Sequence, residues 1–77
     1  MTVTAPVLLL YTKTGCSYCD ATRRDLAARG VAWREVNVTD RPETVPQLLK
    51  LTGGRRIVPV IVEGTRIEIA PGGGSSF

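Results

Sequence analysis

The run Val7-Leu8-Leu9-Leu10-Tyr11 passes through Thr12-Lys13-Thr14-Gly15 into Cys16-Ser17-Tyr18-Cys19, and the architecture turns on how this passage is read. A continuous apolar run, bounded by Pro6 and by a polar turn ending in glycine, reads as a strand buried on both faces. From Cys16 or Ser17 to Arg29 the chain is rich in Ala, Leu and Arg, all good helix formers, and Gly30 stands at the stop position just past the helix. Cys19, Thr22 and Leu26 share one face of that helix, and Arg23, Arg24 and Arg29 turn mostly to solvent.

Working outward, Val31 to Val38 alternates Val36 and Val38 against Glu35 and Asn37, the pattern of a second strand. Two capping boxes follow, Asp40-Arg41-Pro42-Glu43 and Thr44-Val45-Pro46-Gln47. Pro46 sits poorly deep inside a helix, so a loose first turn and a main helix from about Val45 to Leu51 are expected, ended by Thr52-Gly53-Gly54. Ile57 to Val62 is a strand interrupted by Pro59, and Glu63-Gly64 turns it into Thr65 to Ala70 as a hairpin. The tail, Pro71-Gly72-Gly73-Gly74-Ser75-Ser76-Phe77, reads as loop. The order is β-α-β-α-β-β. Strands joined by a helix run parallel and the hairpin adds antiparallel pairs. The expected fold is therefore α/β, a four-stranded mixed sheet with a helix on each face.

Seventy-seven residues make one domain, residues 1–77, with a thin core. A single core of this size contributes only about 3–5 kcal/mol, so chemistry is expected at an exposed edge or helix end. The net charge of +3 is spread from Lys13 to Arg66 among four aromatics, Tyr11, Tyr18, Trp33 and Phe77. It lacks the clustered basic stripe of a nucleic-acid binder, so no nucleic-acid partner is expected. No stretch reaches the ~20 apolar residues of a membrane span, and the uncharged start is unlike a signal peptide. A cytoplasmic protein with no membrane partner is expected. Asn37-Val38-Thr39 then fits a glycosylation sequon by chance.

Cys16 and Cys19 are the only cysteines, and there is no histidine. A disulfide across so short a loop restricts the unfolded chain by only about 2 kcal/mol, so the pair is poorly placed as a staple and well placed for chemistry. Zinc normally takes four ligands, and two thiols without imidazole do not complete such a site in one chain, so no metal is expected. At the start of a helix, Cys16 meets unpaired backbone N–H groups and the positive end of the helix dipole, both favouring thiolate. Lys13 adds a positive charge nearby. Cys19, one turn on, is in reach of Cys16 and should be less exposed, which makes Cys16 the attacking and Cys19 the resolving thiol. After a strand, opening a helix in a β-α-β pattern, this spacing points to thiol–disulfide exchange.

Tyr11-Thr12-Lys13-Thr14-Gly15-Cys16-Ser17-Tyr18-Cys19, then Thr52-Gly53-Gly54-Arg55-Arg56-Ile57-Val58-Pro59-Val60, then Gly73-Gly74-Ser75 resemble the glutaredoxins of the thioredoxin-like superfamily, in order and spacing over nearly the whole chain. The resemblance implies a thioredoxin-like fold and a thiol–disulfide oxidoreductase with no bound cofactor. Its implied partners are glutathione as co-substrate and proteins bearing disulfides. Pro59 matches the family's cis-proline beside the redox cysteines; an ordinary trans-proline on an edge strand is the competing reading. Val58 would pair through its backbone with an extended thiol substrate. Lys13, Tyr18 and Arg56 match positions lining the glutathione groove, where cations suit the peptide's carboxylates. Gly73, Gly74 and Ser75 match a Gly-Gly turn whose amides meet a substrate carboxylate, against the alternative of an unstructured glycine-rich tail.

The sequence departs from that pattern in ways that bear on function. The stretch between Pro59 and Gly73 is longer than usual, and Ser75-Ser76 stands where many glutaredoxins carry an Asp for the glutathione amino group. The sequence ends at Phe77, before the family's C-terminal helix. A missing helix should expose apolar surface on one face of the sheet and favour a homodimer or docking on a partner. Three other readings compete: a redoxin reduced by thioredoxin reductase and serving ribonucleotide reductase, a dimeric module holding an iron–sulfur cluster or soft metal with glutathione, and an inactive interaction module. Cys19 counts against the cluster, and the intact Cys16, Cys19 and Lys13 count against the inactive module.

Overall fold

In the computed structural model, which describes residues 8–77, the leading apolar run forms β1 (Leu8–Thr12). Its expected beginning at Val7 and its Pro6 boundary lie outside the described residues. Leu10 and Tyr11 are almost completely buried on opposite sides of β1, as a strand covered on both faces requires. Helix α1 (Ser17–Ala28) follows, and Gly30 takes the left-handed conformation (φ 70°) just past its end, where a side chain would be strained. β2 (Trp33–Asn37) lies parallel to β1.

Pro42–Thr44 form a single 3-10 turn that leads into α2 (Val45–Thr52), so Pro46 lies in the first helical turn, where its missing N–H costs nothing. Neither expected capping box forms. Arg41 and Thr44 stand at the two caps without side-chain cap bonds, and the Thr44 hydroxyl donates back to the Arg41 carbonyl instead. At the far end, the Thr52 hydroxyl donates to the Arg55 carbonyl (2.7 Å) and accepts its N–H (3.0 Å). That clasp fixes the direction in which Arg55 and Arg56 enter the next strand.

The Ile57–Val62 run divides at Pro59 into β3 (Ile57–Val58) and β4 (Val60–Glu63), and β5 (Arg66–Ile69) returns across the two-residue Gly64–Thr65 turn. The main sheet has four strands in the order β2-β1-β4-β5, mixed as expected. One core (Leu8, Leu10, Leu26, Ile61) lies under α1. The other (Tyr11, Val38, Leu48, Val58, Val60 and both cysteines) lies toward α2.

The tail departs from the loop reading. Ser75–Ser76 form β6, antiparallel to β3, with Val58 opposite Ser75 and Ile57 opposite Ser76. A glycine-rich segment with no apolar alternation carries no strand signal of its own; the pairing is made by the free edge of β3.

Among the described residues, the expected apolar exposure on one face of the sheet is not found. Tyr18 and Ile67 are the large exposed hydrophobics among the described residues. On the α1 side of the sheet, β5 turns Arg66 and Glu68 outward beside Ile61, and the two form an ion pair at 3.2 Å. A charged strand face removes the hydrophobic reason for a dimer there. No helix among the described residues is long and apolar enough to cross a membrane.

Arg23 is not turned freely to solvent. Its guanidinium donates to both carboxylate oxygens of Glu35 (2.8 Å from Nε) and pairs with Asp20, and the buried Thr12 hydroxyl donates to Glu35 at 3.0 Å. These bonds tie α1 to β2 and to the end of β1. The Arg23 guanidinium holds the Glu35 carboxyl below the ordinary carboxylate range, helped by Thr12 and Trp33 and opposed by partial burial.

Two stability results are expected. Leu26→Ala, which empties a site 1% exposed between α1 and the sheet, should cost about 2–5 kcal/mol, read as a lowered urea midpoint. Glu35→Gln should cost about 1 kcal/mol at neutral pH. Because the folded carboxyl titrates below its unfolded value, the wild-type advantage is present above the ordinary carboxylate range. It should vanish as pH falls through the lowered folded value. Urea titrations of both proteins at neutral and acid pH check the sign.

Candidate active site

Four residues lie between the end of β1 and the start of α1, and the first three, Lys13-Thr14-Gly15, form a braced turn that leads to Cys16. The Thr14 N–H donates to the Thr39 hydroxyl (3.1 Å) and the Thr14 hydroxyl accepts from the Asn37 amide (3.3 Å). The Asn37 side-chain oxygen in turn accepts the N–H groups of Thr39 and Asp40. The asparagine of the sequon thus anchors the turn that delivers Cys16.

Cys16 occupies the N-cap of α1 in extended conformation (φ −104°, ψ 108°), and its Sγ accepts the Cys19 N–H at 3.1 Å. A sulfur there takes the cap position that Ser or Asp oxygens usually fill, satisfying one of the orphan N–H groups of the first turn. Negative charge on that sulfur is stabilised by the same N–H and by the helix dipole. Cys16 and Cys19 are joined as a disulfide with Cα atoms 5.2 Å apart, within the usual range. Cys19 is fully buried and Cys16 is 3% exposed. The order of exposure is the one expected, but in this closed state Cys16 is itself nearly covered. The Tyr11 phenol lies in the same core, and burial raises its pKa, so it stays protonated.

The structure brings the remaining candidate residues into one contiguous set. The Val58–Pro59 peptide bond is cis, and both residues are buried, Val58 in the core that holds the cysteines. Gly73 (φ 110°) lies under the Tyr18 ring, where a Cβ would come within 2.7 Å of Cε1. Gly74 abuts β3 so closely that a Cβ would meet the Val58 carbonyl oxygen at 2.7 Å. Ser75 pairs with Val58. The Lys13 ammonium donates to the Ser76 carbonyl at 2.8 Å, and Arg56 Nε donates to the Phe77 carbonyl at 2.8 Å.

Ser76 and Phe77 were not candidates from sequence, yet they meet both candidate cations. The Arg56 guanidinium also lies 4.8 Å from the centroid of the Phe77 ring, and Phe77 packs against the cysteine-containing core. A lone aromatic after a glycine-serine run was the one available signal. Glu35 and Asn37, which brace the site from β2, gave none beyond strand alternation. Among the described residues no group of three or more His, Cys, Asp or Glu could hold a metal ion.

Residues 8–67 match the sequence pattern that defines the glutaredoxin family. Among curated proteins, the glutaredoxin-like protein NrdH of Lactococcus lactis subsp. cremoris (strain MG1363) is 28% identical over 57 residues, which cover 74% of this chain and 76% of the relative. Among solved structures, the glutaredoxin (grx-1) from Archaeoglobus fulgidus superposes with a TM-score of 0.71 at 21% identity, over 92% of this chain and 77% of that one. At that identity the likeness speaks to the fold.

Gly73→Ala should displace the Tyr18 ring and cost about 1–2 kcal/mol, because the new methyl meets both a disfavoured φ and the ring. Tyr18 chemical shifts and the urea midpoint read the two effects separately.

Proposed function

The chain belongs to the glutaredoxin family of thiol–disulfide oxidoreductases, and on that premise we propose a dithiol mechanism in which Cys16 attacks and Cys19 resolves. The observation that carries the reading is the Cys16 Sγ at the N-cap of α1, accepting the Cys19 N–H at 3.1 Å. The Cys16 thiolate attacks one sulfur of a protein disulfide, and the other sulfur leaves as a thiolate. Cys19, having given up its proton to solvent, then attacks the Cys16 sulfur. The second substrate thiolate leaves and takes a proton, and the enzyme holds the Cys16–Cys19 disulfide. Two glutathione molecules return it to the dithiol and become glutathione disulfide, so electrons balance at two per cycle. A reducing cytoplasmic setting completes the proposal.

In this reading Val58 offers its backbone to the substrate and Lys13 and Arg56 receive its carboxylates, with Tyr18 over Gly73 closing one side. One observation favours a second reading for the reductant alone. Lys13, Arg56 and Val58 already bond the chain's own residues 75–77, which favours a protein reductant such as thioredoxin reductase over free glutathione.

Alkylation of the reduced protein across a pH series, with the two cysteines separated by peptide mapping, tests the mechanism. Cys16 should react as a thiolate well below the ordinary thiol pKa of about 8.5, and Cys19 should not. Cys16→Ser should abolish disulfide reduction, and Cys19→Ser should accumulate a mixed disulfide on Cys16. Two cysteines that titrate alike and normally would sink the assignment. Turnover coupled to glutathione with glutathione reductase, compared with thioredoxin reductase, decides the reductant.

A further inference from the structure

Val58 has a single N–H, and this group and its carbonyl face one edge of β3. In an antiparallel pair, opposed residues alternate between hydrogen-bonded and non-bonded. The Phe77 N–H donates to the Arg56 carbonyl (3.3 Å), which makes Ile57–Ser76 the non-bonded pair and Val58–Ser75 the next bonded one. The edge that an extended substrate would use is therefore filled by β6. The Lys13 and Arg56 side chains are engaged with the same segment, through the Ser76 and Phe77 carbonyls. Phe77 adds a lid-like contact: it stacks on Arg56 and packs on the core in which Cys16 keeps only 3% exposure.

Resting on the dithiol reading above, we propose that residues Gly74–Phe77 are an intramolecular stand-in for the substrate strand, so that substrate binds by strand exchange. The substrate class this selects is an extended protein segment bearing a disulfide. Such a chain can replace the whole set of contacts at Val58, Ile57 and Arg56; a small thiol can replace only part of it. A strand held on a short tether competes at an effective concentration on the order of millimolar, which disfavours weak, short ligands. The glycines make the stand-in both specific and releasable. Gly73 and Gly74 allow the close approach to Tyr18 and to the Val58 carbonyl, and their conformational freedom makes the docked segment costly to order.

The test uses the full chain carrying Cys19→Ser and a short extended peptide whose single cysteine bears a thionitrobenzoate mixed disulfide. The Cys16 thiolate attacks the peptide cysteine sulfur and releases the yellow thionitrobenzoate anion, leaving the peptide on Cys16. Backbone amide exchange is then read before and after. Strand exchange requires the Phe77 and Ser75 amides to lose their protection while the Val58 amide stays protected. If the peptide is attached and Phe77 and Ser75 stay protected, exchange is overturned and the dithiol reading survives. If no thionitrobenzoate is released, the dithiol reading itself falls and takes the exchange with it. In the otherwise wild-type chain, Ser75→Pro removes the N–H that meets the Val58 carbonyl. It should lower KM for an extended peptide disulfide about three- to tenfold, and an unchanged or raised KM overturns the proposal.

Discussion

Leu10 and Tyr11 are neighbours in the chain, yet they are buried on opposite faces of the sheet, and the fold follows from the need to cover both. A strand with apolar side chains on both faces needs a layer on each. Leu26 of α1 covers one side and Leu48 of α2 the other. β1 also carries the hydrogen bonds of both its neighbours, β2 and β4. Its end is in consequence the best-anchored point of a small molecule, and Cys16 stands one braced turn beyond it. A sulfur that must meet a helix N-terminus within hydrogen-bond distance gains most from that position.

Charge is used internally more than the composition implies. Arg23, Glu35 and Thr12 connect a helix and two strands through charged and neutral hydrogen bonds at a half-buried seam. Lys13 and Arg56, the two cations expected at the cysteine site, bond to backbone carbonyls of residues 76 and 77. On the open side of the sheet, Arg66 and Glu68 occupy β5 positions where apolar residues would have left a sticky face. The mild net charge of +3 is thus distributed over structural duties and solvated faces.

The pairing of β6 with β3 changes how the site is understood. A cysteine pair held at 5.2 Å between Cα atoms, with both residues under 4% exposed, is a closed arrangement. The strand that covers the neighbouring Val58 edge follows three consecutive glycines, Gly72–Gly74, whose backbone freedom suits a segment that moves. In the proposed exchange, substrate recognition and release of the chain's own strand share the Val58 edge.

Much was legible in the residues alone. Apolar runs, glycine stops and helix-forming stretches set the element order, and Cys16 and Cys19 fell at the strand-to-helix junction because that junction is a local pattern. The cis bond at Val58–Pro59 was expected through family resemblance and is present; no local rule separates it from an ordinary edge proline. The capping boxes misled because Thr44 bonds backward into the 3-10 turn in place of the helix N–H groups. Three features belonged to the tertiary structure alone: the Arg23–Glu35–Thr12 link, the charged face of β5, and the docking of residues 75–77 on β3. Each joins residues distant in sequence or depends on which way a strand faces. Periodicity reports which residues seek burial, and register is settled only when a partner strand arrives. Ser75 and Ser76 seek nothing by themselves; they are a strand because Val58 and Ile57 have an edge to fill.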